Sequence, residues 1–120
     1  MNKIEKLISE LCPLPAGRQG MVWKNNPDDM PDFQEGVWYV YVLICENKSL
    51  YKGFTKSIKQ RYIQHLNGIG ARHTKQHKPV CLLYYETYYS EKDAVEREKY
   101  LKSGIGREFL KKIQKEYENR

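Results

Sequence analysis

The sequence predicts an α+β fold, a small three-stranded antiparallel sheet flanked by helices in the order β-β-α-β-α-α. Three observations lead there. A continuous β-branched and aromatic run over residues 37–45 is followed by a turn and a shorter run over 50–55, the pattern of a hairpin whose first strand is covered on both faces. Two capping boxes, Ser57 with Gln60 and Ser90 with Asp93, each open an apolar-periodic stretch. Between those stretches lies a third apolar run, 80–88, so strands and helices interleave around one core.

Taken in order, Ile4, Leu7, Ile8 and Leu11 stand at helical spacing and predict a short amphipathic helix, marginal by itself. Residues 12–31 are dense in Pro, Gly and Asn and read as a linker or disordered arm. Residues 1–36 are thus expected to be an extension and 37–117 the folded domain. Glu46, Asn47, Lys48 and Ser49 form the hairpin turn. In the helix after Ser57, residues Ile58, Tyr62, His65 and Leu66 share a stripe that ends at Asn67-Gly68. Ala94, Val95, Glu98 and Leu101 mark a second helix that stops near Gly104, and Phe109, Ile113 and Tyr117 mark the last.

A chain of 120 residues has room for one domain with a modest core. Its 21 Lys and Arg against 15 Asp and Glu give a formal charge of +6, which favours a polyanionic partner such as nucleic acid. No apolar run approaches the roughly 20 residues of a membrane span, and Asn2, Lys3, Glu5 and Lys6 leave no secretory core, so a cytoplasmic location is expected. Three cysteines, Cys12, Cys45 and Cys81, without CxxC spacing predict thiols rather than a disulfide framework.

Four polar features are out of place in this frame. Tyr41 and Tyr51 carry hydroxyls inside neighbouring strands. A lone strand tyrosine is ordinarily a packing residue with a wet tip, so neither proves anything singly. Arg61 and His65 sit one turn apart on one helix face, where a solvated charge and a surface histidine compete with an anion site. Glu98 falls within an apolar stripe and needs a cation there, either a metal ion or Arg61. Arg72, His73, Lys75 and Lys78 suggest a basic loop tracking a phosphate backbone, set against a merely solvated loop. His73, His77 and Cys81 recur in four-residue steps, but Pro79 breaks the helix such a zinc site would need and a fourth ligand is missing.

Together these residues resemble a known family. Tyr39-Val40-Tyr41 and Tyr51-Lys52-Gly53 look like the two halves of the GIY-YIG nuclease signature, with Arg61 and His65 following at the family's spacing. The stretch 94–101 resembles the helix that carries the family's metal-binding glutamate, here Glu98. Stretches 70–74 and 102–110 look like the small bacterial single-domain branch, related to the nuclease module of the excision-repair C subunit and to Slx-type nucleases. The departures are the missing first glycine, Lys52 in place of isoleucine, and no asparagine near Leu110. The resemblance implies an endonuclease, acting on DNA more than RNA and using one divalent cation, Mg²⁺ or Mn²⁺. It implies that Glu98 holds the metal, Arg61 braces the phosphoryl oxygens, Tyr51 takes a proton from water, and Tyr41 or His65 shares or relays it. Lys52 joins Arg72, His73, Lys75 and Lys78 as an expected nucleic-acid contact. The alternative from another class is a binding module of the same fold without effective catalysis.

Overall fold

A computed structural model describes residues 19–119, so the helix expected over 1–12 lies outside the described residues. Its sheet is antiparallel and, among those residues, has four strands rather than three: β1 (Gln19–Lys24), β2 (Trp38–Cys45), β3 (Leu50–Thr55) and β4 (Pro79–Tyr88). The spatial order is β1-β4-β2-β3, which puts β3 at an edge of the sheet among the described residues. The helices are α1 (Ile58–Leu66), α2 (Arg72–Gln76), α3 (Glu91–Leu101) and α4 (Gly104–Glu118), with a 3-10 turn at Pro27–Asp29.

Strand alternation sorts the core into two layers. Val40 and Val42 of β2 and Leu83 and Tyr84 of β4 point to one face, where Ala94 and Leu101 of α3 and Phe109, Leu110 and Ile113 of α4 cover them. Each large apolar side chain buried there is worth about 1.5–3 kcal/mol. Tyr39, Tyr41 and Leu43 point to the other face, against Ile58 and Tyr62 of α1 and Met30. This double cover explains why β2 reads as an unbroken apolar run. The capping boxes behave as expected at both helices: Ser57 accepts from Gln60 N and Ser90 from Asp93 N, each at 3.2 Å. Asn67 and Gly68 end α1, Gly68 with φ of +75°.

Two expectations are corrected. From Gln19 the stretch read as a linker is ordered: β1 adds to β4, and the 3-10 turn leads into a segment that packs on α1. Met30 is buried, Pro31 O accepts from Lys59 N at 2.9 Å, and the Asp32 carboxylate accepts from Ser57 Oγ at 2.7 Å. Prolines and asparagines suppress helix and strand periodicity, yet their turns can be held by tertiary bonds that periodicity does not register. The basic loop is partly helical, because α2 is a single short helix whose one inward residue, Thr74, is too little to make an apolar stripe.

Candidate active site

The hairpin decides where the two signature tyrosines point. Cys45 N donates to Ser49 O at 2.9 Å and Lys48 N to Cys45 O at 2.8 Å, closing a three-residue loop in which Lys48 takes a left-handed φ of +67°. An odd loop keeps odd-numbered residues opposite one another, so Tyr41 faces Gly53 and Leu43 faces Tyr51. Both tyrosines therefore project to the α1 side, with ring centroids 6.2 Å apart. Gly53 is what lets Tyr41 lie across the edge strand: a Cβ there would stand 2.6 Å from the Tyr41 hydroxyl.

Across from them, α1 presents His65, wholly buried, with Nε2 2.8 Å from Tyr41 Oη and Nδ1 2.7 Å from Thr74 Oγ1. The Thr74 hydroxyl donates onward to Ala71 O at 3.2 Å, so it accepts from His65. That direction puts the ring proton on Nδ1, leaves Nε2 as an acceptor, and makes Tyr41 the donor. Burial pushes the His65 imidazole down to about 4, with the nearby Arg61 charge adding to the effect, so the ring is neutral at pH 7. Burial also raises the Tyr41 phenol, as does Tyr51; Arg61 pulls it back down and the Glu98 carboxylate opposes its ionisation.

Arg61 is half-buried beside this pair. Its guanidinium donates to Gly70 O at 2.7 Å and Gln64 Oε1 at 2.8 Å, and it also lies close enough to the Tyr41 hydroxyl to favour that phenol's ionised form. Tyr51 rests edge-on against His65 at 4.9 Å and beside His73 at 5.9 Å, its hydroxyl without a protein partner among the described residues. His73 is fixed by Ser49 Oγ at 2.7 Å; burial, His77 and Lys52 lower its pKa. Thus Tyr41, Tyr51, Arg61, His65 and His73 come together on one side of β3. Arg72, Lys75 and Lys78 are exposed on and just beyond α2, whereas Lys52 points through to the α4 side.

Glu98 stands differently from expectation. The inward residues of α3 are Ala94, Arg97 and Leu101; Glu98 lies on the flank with its side chain 16% exposed. Its partner is Lys102 Nζ at 2.8 Å, one turn on, and not Arg61. Even so, its charge reaches the Tyr41 hydroxyl, which places it near the same edge of the sheet. A carboxylate with one exchangeable lysine suits a Mg²⁺-like ion, which keeps several waters and takes one or two carboxylates plus substrate phosphate. A closed all-protein cage is not there: no group of three His, Cys, Asp or Glu side chains could hold a metal among the described residues, His73 and His77 included.

Sequence reasoning missed the roles of three contributors. Gly53 entered only as part of the signature and Thr74 only within the 70–74 stretch, and neither carried a signal of its role. Glu86 did: it is a carboxylate inside an aromatic strand, between Tyr84 and Tyr88 on one face. It is wholly buried, takes Arg97 Nε at 2.9 Å and Arg97 Nη2 at 3.2 Å, and accepts from both tyrosine hydroxyls. The buried ion pair foreseen for Glu98 is realised by these neighbours.

Comparison with known proteins shows the family. The model of the GIY-YIG catalytic domain matches residues 37–114. A UPF0213 protein of Staphylococcus epidermidis is 42% identical over 76 residues, covering 63% of this chain and 93% of that protein. One from Pediococcus acidilactici, a UPF0213 protein in the ldhD 5′ region, is 40% identical over 79 residues, 64% of this chain and 81% of that one. The solution NMR structure of a UPF0213 protein from Bacillus halodurans is 30% identical, covers 64% of this chain and 84% of that chain, and has a TM-score of 0.41. With the family model covering the hairpin, α1 and the Glu98 helix alike, the chain belongs to the GIY-YIG family, a family of nucleases that generally depend on a divalent metal.

Proposed function

We propose that this protein is a metal-dependent endonuclease that hydrolyses phosphodiester bonds of nucleic acid, DNA in preference to RNA. The observation that carries the reading is the buried chain from Tyr41 Oη to His65 Nε2 and from His65 Nδ1 to Thr74, because it gives a phenol at the sheet edge somewhere to send its proton. An attacking water passes a proton to Tyr41 Oη while the Tyr41 proton moves to His65 Nε2. No free tyrosinate forms, which burial would penalise. Protonating a ring with a pKa of about 4 at pH 7 costs about 4 kcal/mol. That cost adds to the cost of deprotonating the water, which a bound cation would lower. The water oxygen bonds to phosphorus as the P–O3′ bond breaks, and the departing oxygen takes a proton from solvent. Arg61 offers its remaining N–H groups to the phosphoryl oxygens, and Tyr51, with its hydroxyl unengaged, lines the same edge. Glu98 would hold the cation, which when bound neutralises charge on the phosphoryl group and the departing oxygen.

The second reading, a binding module without turnover, draws on the Lys102 ammonium already seated on Glu98. Cleavage of a labelled panel of single-stranded, duplex and branched DNA and of RNA, in Mg²⁺, Mn²⁺ and EDTA, separates the two. We expect metal-dependent cutting that falls at least about a hundredfold in Glu98→Gln, with binding in EDTA nearly intact. A wild-type protein that binds the panel but cuts none of it makes the protein a binding module.

A further inference from the structure

On the side of β3 opposite the tyrosines, a cleft of about 220 Å³ opens between the hairpin and α4. Lys48, Lys52, Arg107 and Lys111 line it over a floor formed by Leu50 and Leu110. That volume equals about seven waters at about 30 Å³ each, room for a phosphate group with part of its hydration. None of the four cations has a carboxylate within ion-pair distance among the described residues; burial lowers the Lys52 pKa, and the Arg107 and Lys102 charges lower it further. Four like charges around one partly apolar cleft repel one another, and an anion relieves that repulsion. The cleft is also built rather than accidental: Gln114 Nε2 donates to Lys48 O at 2.6 Å, pinning the left-handed turn residue to α4. Arg107 and Lys111 stand four residues apart on one face of α4.

Its position gives the anion an identity. Leu50 and Lys52 alternate with Tyr51 along the edge strand, so the cleft and the hydroxyl cluster lie back to back across β3. We propose that this cleft is a second phosphate subsite, holding a backbone phosphodiester of the strand being cut, displaced along it from the scissile one. The assignment rests on the nuclease reading above and adds Lys48, Arg107 and Lys111 to the nucleic-acid contacts.

The test uses the full chain, a fluorescent single-stranded DNA 20-mer in EDTA, and a salt titration. Arg107→Gln/Lys111→Gln should bind about tenfold more weakly at about 0.1 M salt and lower the slope of log K against log salt by about one to two. The charge-keeping pair Arg107→Lys/Lys111→Arg should stay within about threefold of wild type, as the charge rule requires. Thermal melts of both variants, expected near that of wild type, separate loss of a contact from loss of fold. If the folded Gln pair binds with wild-type affinity and slope, the subsite is wrong while the nuclease reading stands. If wild type binds no nucleic acid even at low salt, both fall, and a melting shift by inorganic phosphate alone does not rescue the subsite.

Discussion

His65 shows how one side chain can be chosen by its surroundings. Its Nε2 serves as acceptor only because Thr74 takes the Nδ1 proton, and the ring stays neutral because it is buried beside Arg61. The folded pKa of about 4 lies below the ordinary 6.5, so between those values the unfolded chain binds more protons and stability rises with pH. The contribution, about 3 kcal/mol from about 2.5 units, is present above pH 6.5 and is lost as the pH falls to 4. Urea denaturation at pH 7 and pH 4.5 should show this loss in wild type and a shallower one in His65→Gln. Equal losses would mean that His65 is not held neutral, since His73 acts in the same window in both proteins. Gly53 offers a second test. Its missing Cβ is the space the Tyr41 hydroxyl occupies, so Gly53→Ala should displace the phenol from His65, cutting cleavage at least about tenfold. Overpacking there should cost about 1–3 kcal/mol of stability. Wild-type cleavage by Gly53→Ala would show that the Tyr41–His65 bond is not needed.

At the scale of elements, α3 is seated by a pair that no catalytic argument requires. Arg97 grips Glu86 through two nitrogens while Tyr84 and Tyr88 donate to the same carboxylate, so that charge is satisfied on every side. Arg97→Met keeps the stem's packing but leaves Glu86 buried with only phenols, and should destabilise the protein by about 3–5 kcal/mol in urea denaturation. A loss below about 1 kcal/mol would mean that Glu86 simply takes up a proton. Since Glu98 follows Arg97 on the same helix, the pair also sets which way Glu98 faces. The 25–36 segment works similarly for α1: Asp32 accepts from Ser57 Oγ and Phe33 N, bonds that lower its pKa, and Ser57 in turn caps the helix bearing Arg61 and His65.

For the whole molecule, seven basic side chains flank one edge strand on its two sides. Arg72, Lys75 and Lys78 lie on or just beyond α2, and Lys48, Lys52, Arg107 and Lys111 on the α4 side. An edge strand between two basic surfaces suits a polyanion laid across β3. Replacing Arg72, Lys75 and Lys78 with Gln should weaken nucleic-acid binding in EDTA and flatten its salt slope by about one per lost phosphate contact. An unchanged slope would make α2 a solvated surface. No helix among the described residues is long and apolar enough to cross a membrane.

The sequence by itself determined the elements whose signal is local: the β2 run, both capping boxes, the Asn67-Gly68 stop and the existence of the hairpin, whereas the three-residue loop that sets Tyr41 and Tyr51 on one face came from the structure. It also carried the family, because the signature residues sit at fixed spacings along the chain. Tertiary structure decided what depends on which neighbour arrives. Arg97 and Glu98 stand three and four residues after Ala94, so both flank the same helical stripe. Only docking on β4, with Glu86 waiting there, buries the arginine and leaves the glutamate at the sheet edge beside Lys102. The order of residues 25–36 is likewise a matter of partners, Ser57 and Lys59, that lie on another element. Periodicity reports a chain's contact with a surface; it does not report hydrogen bonds made between side chains far apart in sequence, and the bonds joining Tyr41, His65 and Thr74 are of that kind.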